Sequence, residues 1–229
     1  MEFTLLGATL IAVGGLWLTL RLTTGGGARQ ADSPFDTALA AIGIGILAGR
    51  LAAMISTGTN PLTHIGDVLI IRGGVSTGVA SLAAVGTWAW MSRGDLPARS
   101  DAMAGAALVG LAGWHAGCLV RDACAGTATS LPWAVTLPGS TVGRHPVELY
   151  VAIGLVAGAL VLPRLPLAVG GTAGGALGLA AAMRLVTEPM RASLGGGPVV
   201  WYWSGVVAGL AVILISQRAG QDSGLHSPM

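Results

Sequence analysis

The sequence predicts an all-α, polytopic integral membrane protein of about seven transmembrane helices, and three observations carry that prediction. The mean hydropathy is +0.73. Charged residues make up only 10 % of the chain, where a soluble globule carries about a quarter. Apolar runs close to the roughly 20 residues needed to cross a bilayer recur from one end of the chain to the other.

Seven runs qualify: 3–20, 37–55, 68–91, 102–120, 147–162, 165–186 and 198–215. The connections between them are short, so the economical organisation is one transmembrane domain over residues 1–216, followed by a disordered cytosolic tail over 217–229. That tail is polar and ends in Ser227-Pro228-Met229, and His226 within it reads as inert. The first run does not read as a cleaved signal, because its first basic residue, Arg21, follows the apolar stretch instead of preceding it.

Every basic residue is Arg, so positive charge can be followed through one residue type. Arg21 and Arg29 follow the first run, Arg93 and Arg99 the third, Arg164 the fifth and Arg218 the seventh. Positive charge collects on the cytosolic side, which places the N-terminus outside and the C-terminus inside. Arg121, Arg144 and Arg191 then fall on the outer side, while Arg50, Arg72 and Arg184 lie within spans or at their edges. Cations in such places call for an anionic partner, either a protein carboxylate or a lipid phosphate. The net charge of +2 is too small to suggest a nucleic acid.

Glycine is abundant, with 37 residues. Gly170, Gly174 and Gly178 form one stripe of the sixth run and Gly171 and Gly175 another, a spacing that lets helices pack closely in lipid. Gly25-Gly26-Gly27 and Gly195-Gly196-Gly197 read as flexible loops. Cys118 and Cys124 flank the outer end of the fourth run. A disulfide is open to them on that face, but two buried thiols acting as small apolar groups are the plainer expectation. Two cysteines and four histidines give no credible zinc spacing, so no metal and no cofactor are expected.

The polar residues inside this apolar chain are its functional candidates. The most informative stretch is Arg144-His145-Pro146-Val147-Glu148-Leu149-Tyr150, which opens the fifth run. Capping accounts for Pro146 at the first helical position and Glu148 in the first turn, but not for Arg144 or His145. Arg50 sits well inside the second run, and Arg72-Gly73-Gly74 opens the third. Arg184, Glu188 and Arg191 fall on one helical face, where an i,i+4 ion pair between Arg184 and Glu188 is expected, with Pro189 as a kink. His115, Arg121 and Asp122 gather near the end of the fourth run. The stretch from Ala125 to Val135 reads as irregular, with Trp133 an interface anchor. Several spans thus bring arginines to the outer half of the membrane. Arg suits bidentate recognition of phosphate, and a site for a phospholipid headgroup is the chemistry these residues support.

Five segments resemble the bacterial prolipoprotein diacylglyceryl transferases. They are Leu47-Ala48-Gly49-Arg50-Leu51, Arg72-Gly73-Gly74-Val75-Ser76, the region 113–135 with Cys118, Cys124, Gly126 and Leu131-Pro132-Trp133, then the Arg144–Tyr150 stretch, and last Arg184-Leu185-Val186-Thr187-Glu188-Pro189-Met190-Arg191. They run in family order, and the Arg-His-Pro motif is the most specific. The resemblance implies transfer of diacylglyceryl from phosphatidylglycerol to the lipobox cysteine of a preprolipoprotein, in the bacterial plasma (inner) membrane. It implies substrate binding by Arg50, Arg72, Arg121, Arg144, Glu148, Tyr150, Arg184 and Arg191, and catalytic roles for His115, His145 and Glu188. The sequence departs from the family pattern in three ways. Ser76-Thr77-Gly78 stands where the family has a histidine before a glycine pair. His115 stands where it has an arginine. Glu148 replaces the usual glutamine, and Val151 a glutamate. A non-catalytic phospholipid-binding or assembly protein with the same fold is the alternative.

Overall fold

Apolar, glycine-rich sequence folds here as long helices joined by short connections. A computed structural model describes residues 2–23, 33–69, 74–121, 124–192 and 198–225. In chain order the elements are α1 (Glu2–Thr23), α2 (Pro34–Ser56), α3 (Ile65–Leu69), α4 (Thr77–Met91), α5 (Leu96–Ala116), α6 (Cys118–Arg121), β1 (Ala125–Ala128), β2 (Val135–Thr136), β3 (Gly143–Pro146), α7 (Val147–Val161), α8 (Gly171–Thr187) and α9 (Val199–Leu225). Three of these helical stretches, Pro34–Ser56, Val147–Arg164 and Val199–Gln221, are long and apolar enough to cross a membrane. A shorter apolar stretch, Gly7–Thr23, lies in α1.

The helices do not always fill the predicted runs. The run at 165–186 becomes helical only at Gly171, because Pro163 and Pro166 interrupt the backbone ladder and Leu162–Arg164 tightens to a 3-10 turn. At the other end of the chain, α9 continues through Leu225 into the segment assigned to a disordered tail. Gln217, Arg218 and Gln221 are good helix formers, and extending an existing helix is cheap. A small antiparallel sheet of order β1-β3-β2 departs from the all-α expectation and occupies part of the stretch read as irregular. Strands of two to four residues are too short to leave a readable alternation.

The contacts divide the chain into two compact units, one made of Met1–Gly26 with Ser100–Met229 and the other of Gly27–Arg99. In the second unit α2 packs on α4 through missing side chains. A Cβ at Gly45 or Gly49 would fall within 3 Å of α4 or the turn before it. The amide of Ser76 donates to the carbonyl of Gly49 at 3.0 Å.

In the first unit, Leu108 of α5, Val151 and Leu155 of α7 and Ala176 of α8 form a buried core. Between apolar helices in lipid, close packing supplies the association that water exclusion supplies elsewhere. The glycine stripes serve that role. Gly174 and Gly178 face Gly209 of α9, where a Cβ would sit 2.5 Å from the Gly178 nitrogen. The start of α8 is held from α5: Asp101 accepts from the amides of Gly170 and Ala173 at 2.6 and 2.7 Å. Gly170 reaches this position with φ +94°, a conformation that costs other residues free energy.

Candidate active site

Three helix ends of the first unit present charged side chains, each suited to its end. His115 lies in the last turn of α5 and Arg184 in the last turn of α8, where the helix dipole favours positive charge. Glu148 lies in the first turn of α7, where it favours negative charge. Pro146 ends β3 and caps α7 instead of forming its first residue, so the strand delivers the chain directly into the helix.

Glu148 is the hub. Its Oε2 is 2.5 Å from Nδ1 of His115. Arg184 Nη1 donates to both carboxylate oxygens at 3.5 Å, and Arg191 Nη2 lies 3.4 Å from Oε1. The guanidinium of Arg184 also sits 5.7 Å from the ring centroid of Tyr202 in α9, within cation–π range. An ionised carboxylate can only accept, so Nδ1 of His115 carries a proton, and in the neutral imidazole Nε2 is then the acceptor. His115 is only 7 % exposed. The arrangement resembles the histidine–carboxylate pairs in which the carboxylate fixes the tautomer of a base.

The expected pair between Arg184 and Glu188 does not form. Pro189 stops α8, Glu188–Met190 turns as a 3-10 helix, and Arg191 is extended. Both arginines therefore meet Glu148, from another helix, in place of their own neighbour. The two carboxylate oxygens of Glu188 are buried and have no hydrogen-bond partner among the described residues.

His145 and Tyr150 belong to a second set of contacts. Trp133 donates its indole N–H to the Tyr150 hydroxyl at 2.8 Å, and that hydroxyl lies 3.4 Å from His145 Nδ1. An indole is a donor only, so the tyrosine proton is left to point at His145. Arg144 donates to the carbonyl of Gly126 at 3.0 Å and keeps a buried, unpartnered Nε. Gly126 has no room for a side chain: a Cβ there would collide with the Met190 carbonyl and with Val147. This crowding ties β1 to the segment that carries Arg191.

Cys118 and Cys124 are joined in a disulfide, contrary to the expectation of two thiols. The bond anchors the start of β1 to α6. Cys124, Gly126, Glu148 and Arg191 line a cavity of about 160 Å³. Arg50, in the other unit, is 5 % exposed and donates to the carbonyls of Asp67 and Gly74, both at 2.9 Å. Arg72 and the side chain of Arg121 lie outside the described residues, as do Asp122, Arg29, His226 and the two triple-glycine loops. No group of three metal-ligating side chains occurs among the described residues.

Sequence reasoning found the residues of the hub but not their pairing, since contacts between separate helices leave no local spacing. The Trp133–Tyr150 hydrogen bond and the Asp101 cap gave no signal at all.

Cations and a carboxylate are thus gathered at the ends of apolar helices, beside a small cavity. The model of the prolipoprotein diacylglyceryl transferase family matches residues 3–219, and the chain belongs to that family. It is a family of membrane transferases of lipoprotein biosynthesis that act on lipoprotein precursors with phospholipid donors. Among curated proteins none gives a significant match.

Proposed function

We propose that this protein transfers the diacylglyceryl group of phosphatidylglycerol to the thiol of a lipobox cysteine in a preprolipoprotein. The observation that carries the reading is the sharing of one carboxylate, Glu148, by His115, Arg184 and Arg191. The arginine contacts are long, and each guanidinium has five donors. Donors therefore remain for a phosphate beside Glu148. The distribution of arginines along the chain supports seven crossings with the N-terminus outside, and residues 1–216 as one transmembrane domain in the bacterial plasma membrane.

In the reaction, the acceptor sulfur attacks the diacylglyceryl carbon bonded to the phosphate oxygen. A C–S bond forms, the C–O bond breaks, and glycerol phosphate leaves with the electron pair. The thiol proton passes to Nε2 of His115, whose Nδ1–H is held by Glu148. Arg184 and Arg191 neutralise the charge that grows on the departing phosphate, the role for which preorganised cations are worth most. His115 thus takes the position of the family arginine, and Glu148 in place of glutamine supplies the counter-charge that a histidine base requires. Glu188, with unpartnered oxygens, orients the bound phospholipid through its glycerol hydroxyls. Arg144, His145 and Tyr150 shape the adjoining wall.

The test is a transfer assay in purified membranes with labelled phosphatidylglycerol and a lipobox peptide, beside a standard family enzyme. Lipidated peptide is the expected result. Absence of product while phosphatidylglycerol still binds would sink the transferase reading and leave a lipid-binding protein that kept the family fold.

A further inference from the structure

Helices α8 and α9 run antiparallel along a seam from which side chains are missing. A Cβ at Gly171 would stand 3.3 Å from Ser216 Oγ, and one at Gly205 would stand 2.7 Å from the Ala181 methyl. Between them Gly178 faces Gly209. The pairing steps evenly: as α8 advances from Gly171 through Gly178 to Ala181, α9 retreats from Ser216 through Gly209 to Gly205. Backbones this close can slide little without a clash. One further step along each helix brings Arg184 opposite Tyr202, and there the guanidinium lies 5.7 Å from the ring centroid.

Tyr202 differs from its aromatic neighbours. Trp201 and Trp203 are 76 % and 55 % exposed, whereas Tyr202 is partly buried. Its ring meets a guanidinium that other contacts hold loosely. Arg184 reaches the Glu148 carboxylate with Nη1 alone, at 3.5 Å to each oxygen, which is long for a charge-assisted hydrogen bond. Its Nε and Nη2 have no hydrogen-bond partner among the described residues, and the side chain is 22 % exposed. A cation on an aromatic face is held most firmly where water is partly excluded, and a stacked ring restrains the plane of a guanidinium as well as its position.

We propose that Tyr202 is a positioning residue for Arg184: its ring holds the guanidinium while Nη1 faces Glu148, and so leaves the Nε–Nη2 edge as a fork for two phosphate oxygens. The α8–α9 seam sets the aim of that fork, through the register that brings the ring to the guanidinium. Cations stabilise a departing phosphate best when they are already in place. The phosphate in this proposal rests on the phospholipid-donor reading above, whereas the ring contact stands apart from it.

The first test reads the contact without any transfer. In the full chain, carrying isotope-labelled arginine in detergent micelles, the Arg184 Nε–H resonance is assigned by its loss in Arg184→Lys. The ring current of Tyr202 should place it upfield of the resonance of Arg218, which is exposed. Tyr202→Phe should keep that displacement and Tyr202→Leu should abolish it. A resonance unmoved in Tyr202→Leu overturns the proposal, even if the transfer assay succeeds. The second test is kinetic. Tyr202→Leu should lower kcat/KM for phosphatidylglycerol about tenfold and Tyr202→Phe about twofold at most, as loss and retention of a partly desolvated cation–π contact require. On an Arg184→Ala background Tyr202→Leu should cost nothing further. Equal losses for the two Tyr202 variants, or a loss that persists in full on Arg184→Ala, would reduce Tyr202 to packing and overturn the positioning role. An upfield Arg184 resonance in a protein that transfers nothing supports the ring contact while the transferase reading fails.

Discussion

Nδ1 of His115, at the end of α5, lies 2.5 Å from a carboxylate oxygen of Glu148, at the start of α7. The two residues are 33 positions apart, and the sequence resemblance sets each of them against a different residue of the family pattern. That resemblance implies an exchange of an arginine and a glutamine for this histidine and carboxylate, and Arg184 and Arg191 also lie at Glu148.

This pairing predicts that the two exchanges depend on each other. Glu148→Gln should lower transfer about 100-fold, the loss expected when a base loses the group that orients it. His115→Arg should lose a similar amount. The double substitution restores the family combination and should recover at least about tenfold over either single, a coupling that a double-mutant cycle measures directly. Strict additivity would show that the contact has no catalytic meaning.

Arg184 should be intolerant even of lysine. Arg184→Ala is expected to lower kcat/KM by about 100- to 1000-fold, and Arg184→Lys to recover little of it, because an ammonium cannot reproduce the planar donor fork. His64→Ala is the control. His64 is exposed in a turn with Asn60 and Thr63, and its removal should leave transfer at the wild-type rate. Equal rates for Arg184→Ala and His64→Ala would remove Arg184 from the site.

The disulfide closes a short loop, with a sequence separation of six residues. Chain-entropy reasoning assigns such a loop about 2 kcal/mol. Cys118→Ser with Cys124→Ser should lower the Tm by about 5 °C and reduce transfer, since β1 carries Gly126 against the Arg191 segment. Thermal denaturation in detergent with and without reductant reads the first effect. A Tm insensitive to both treatments would mean the loop is held by other contacts.

Gly209→Ala should destabilise the protein by about 1–3 kcal/mol, the usual cost of overpacking, because the new Cβ meets backbone at 2.5 Å. Gly86 in α4 meets nothing within 4 Å. Gly86→Ala should be neutral or stabilising by roughly 0.5–1 kcal/mol, as in any exposed helix interior. Denaturant midpoints of the two variants check the contrast, and equal midpoints would show that the α8–α9 contact is slack.

How much could be read beforehand depended on the range of the interaction involved. The helices of the apolar runs were legible because hydropathy is local, and the glycine stripe of α8 was legible because its spacing reports a helix face. Candidate site residues stood out because charge is rare in this chain. Their partners did not. The i,i+4 rule pairs Arg184 with Glu188, yet Pro189 ends the helix and leaves Arg184 to a carboxylate on α7. The cysteines six apart left a bridge open, but two buried thiols were the plainer expectation and the bridge overturns it. The sheet escaped because two to four residues per strand are fewer than an alternation needs.

The cap that Asp101 places on α8 has a mechanical consequence. That helix is gripped at both ends: Gly170 and Ala173 by a carboxylate of α5, and Arg184 by a carboxylate of α7. From Ala173 to Arg184 is about 16 Å of helix, too stiff to absorb a change at one end without passing it to the other. A slide of α8 by one residue would move the guanidinium about 1.5 Å and twist it off Glu148. Asp101, remote from the chemistry, therefore acts as the stop that sets the helix's height and rotation, and with them the aim of Arg184.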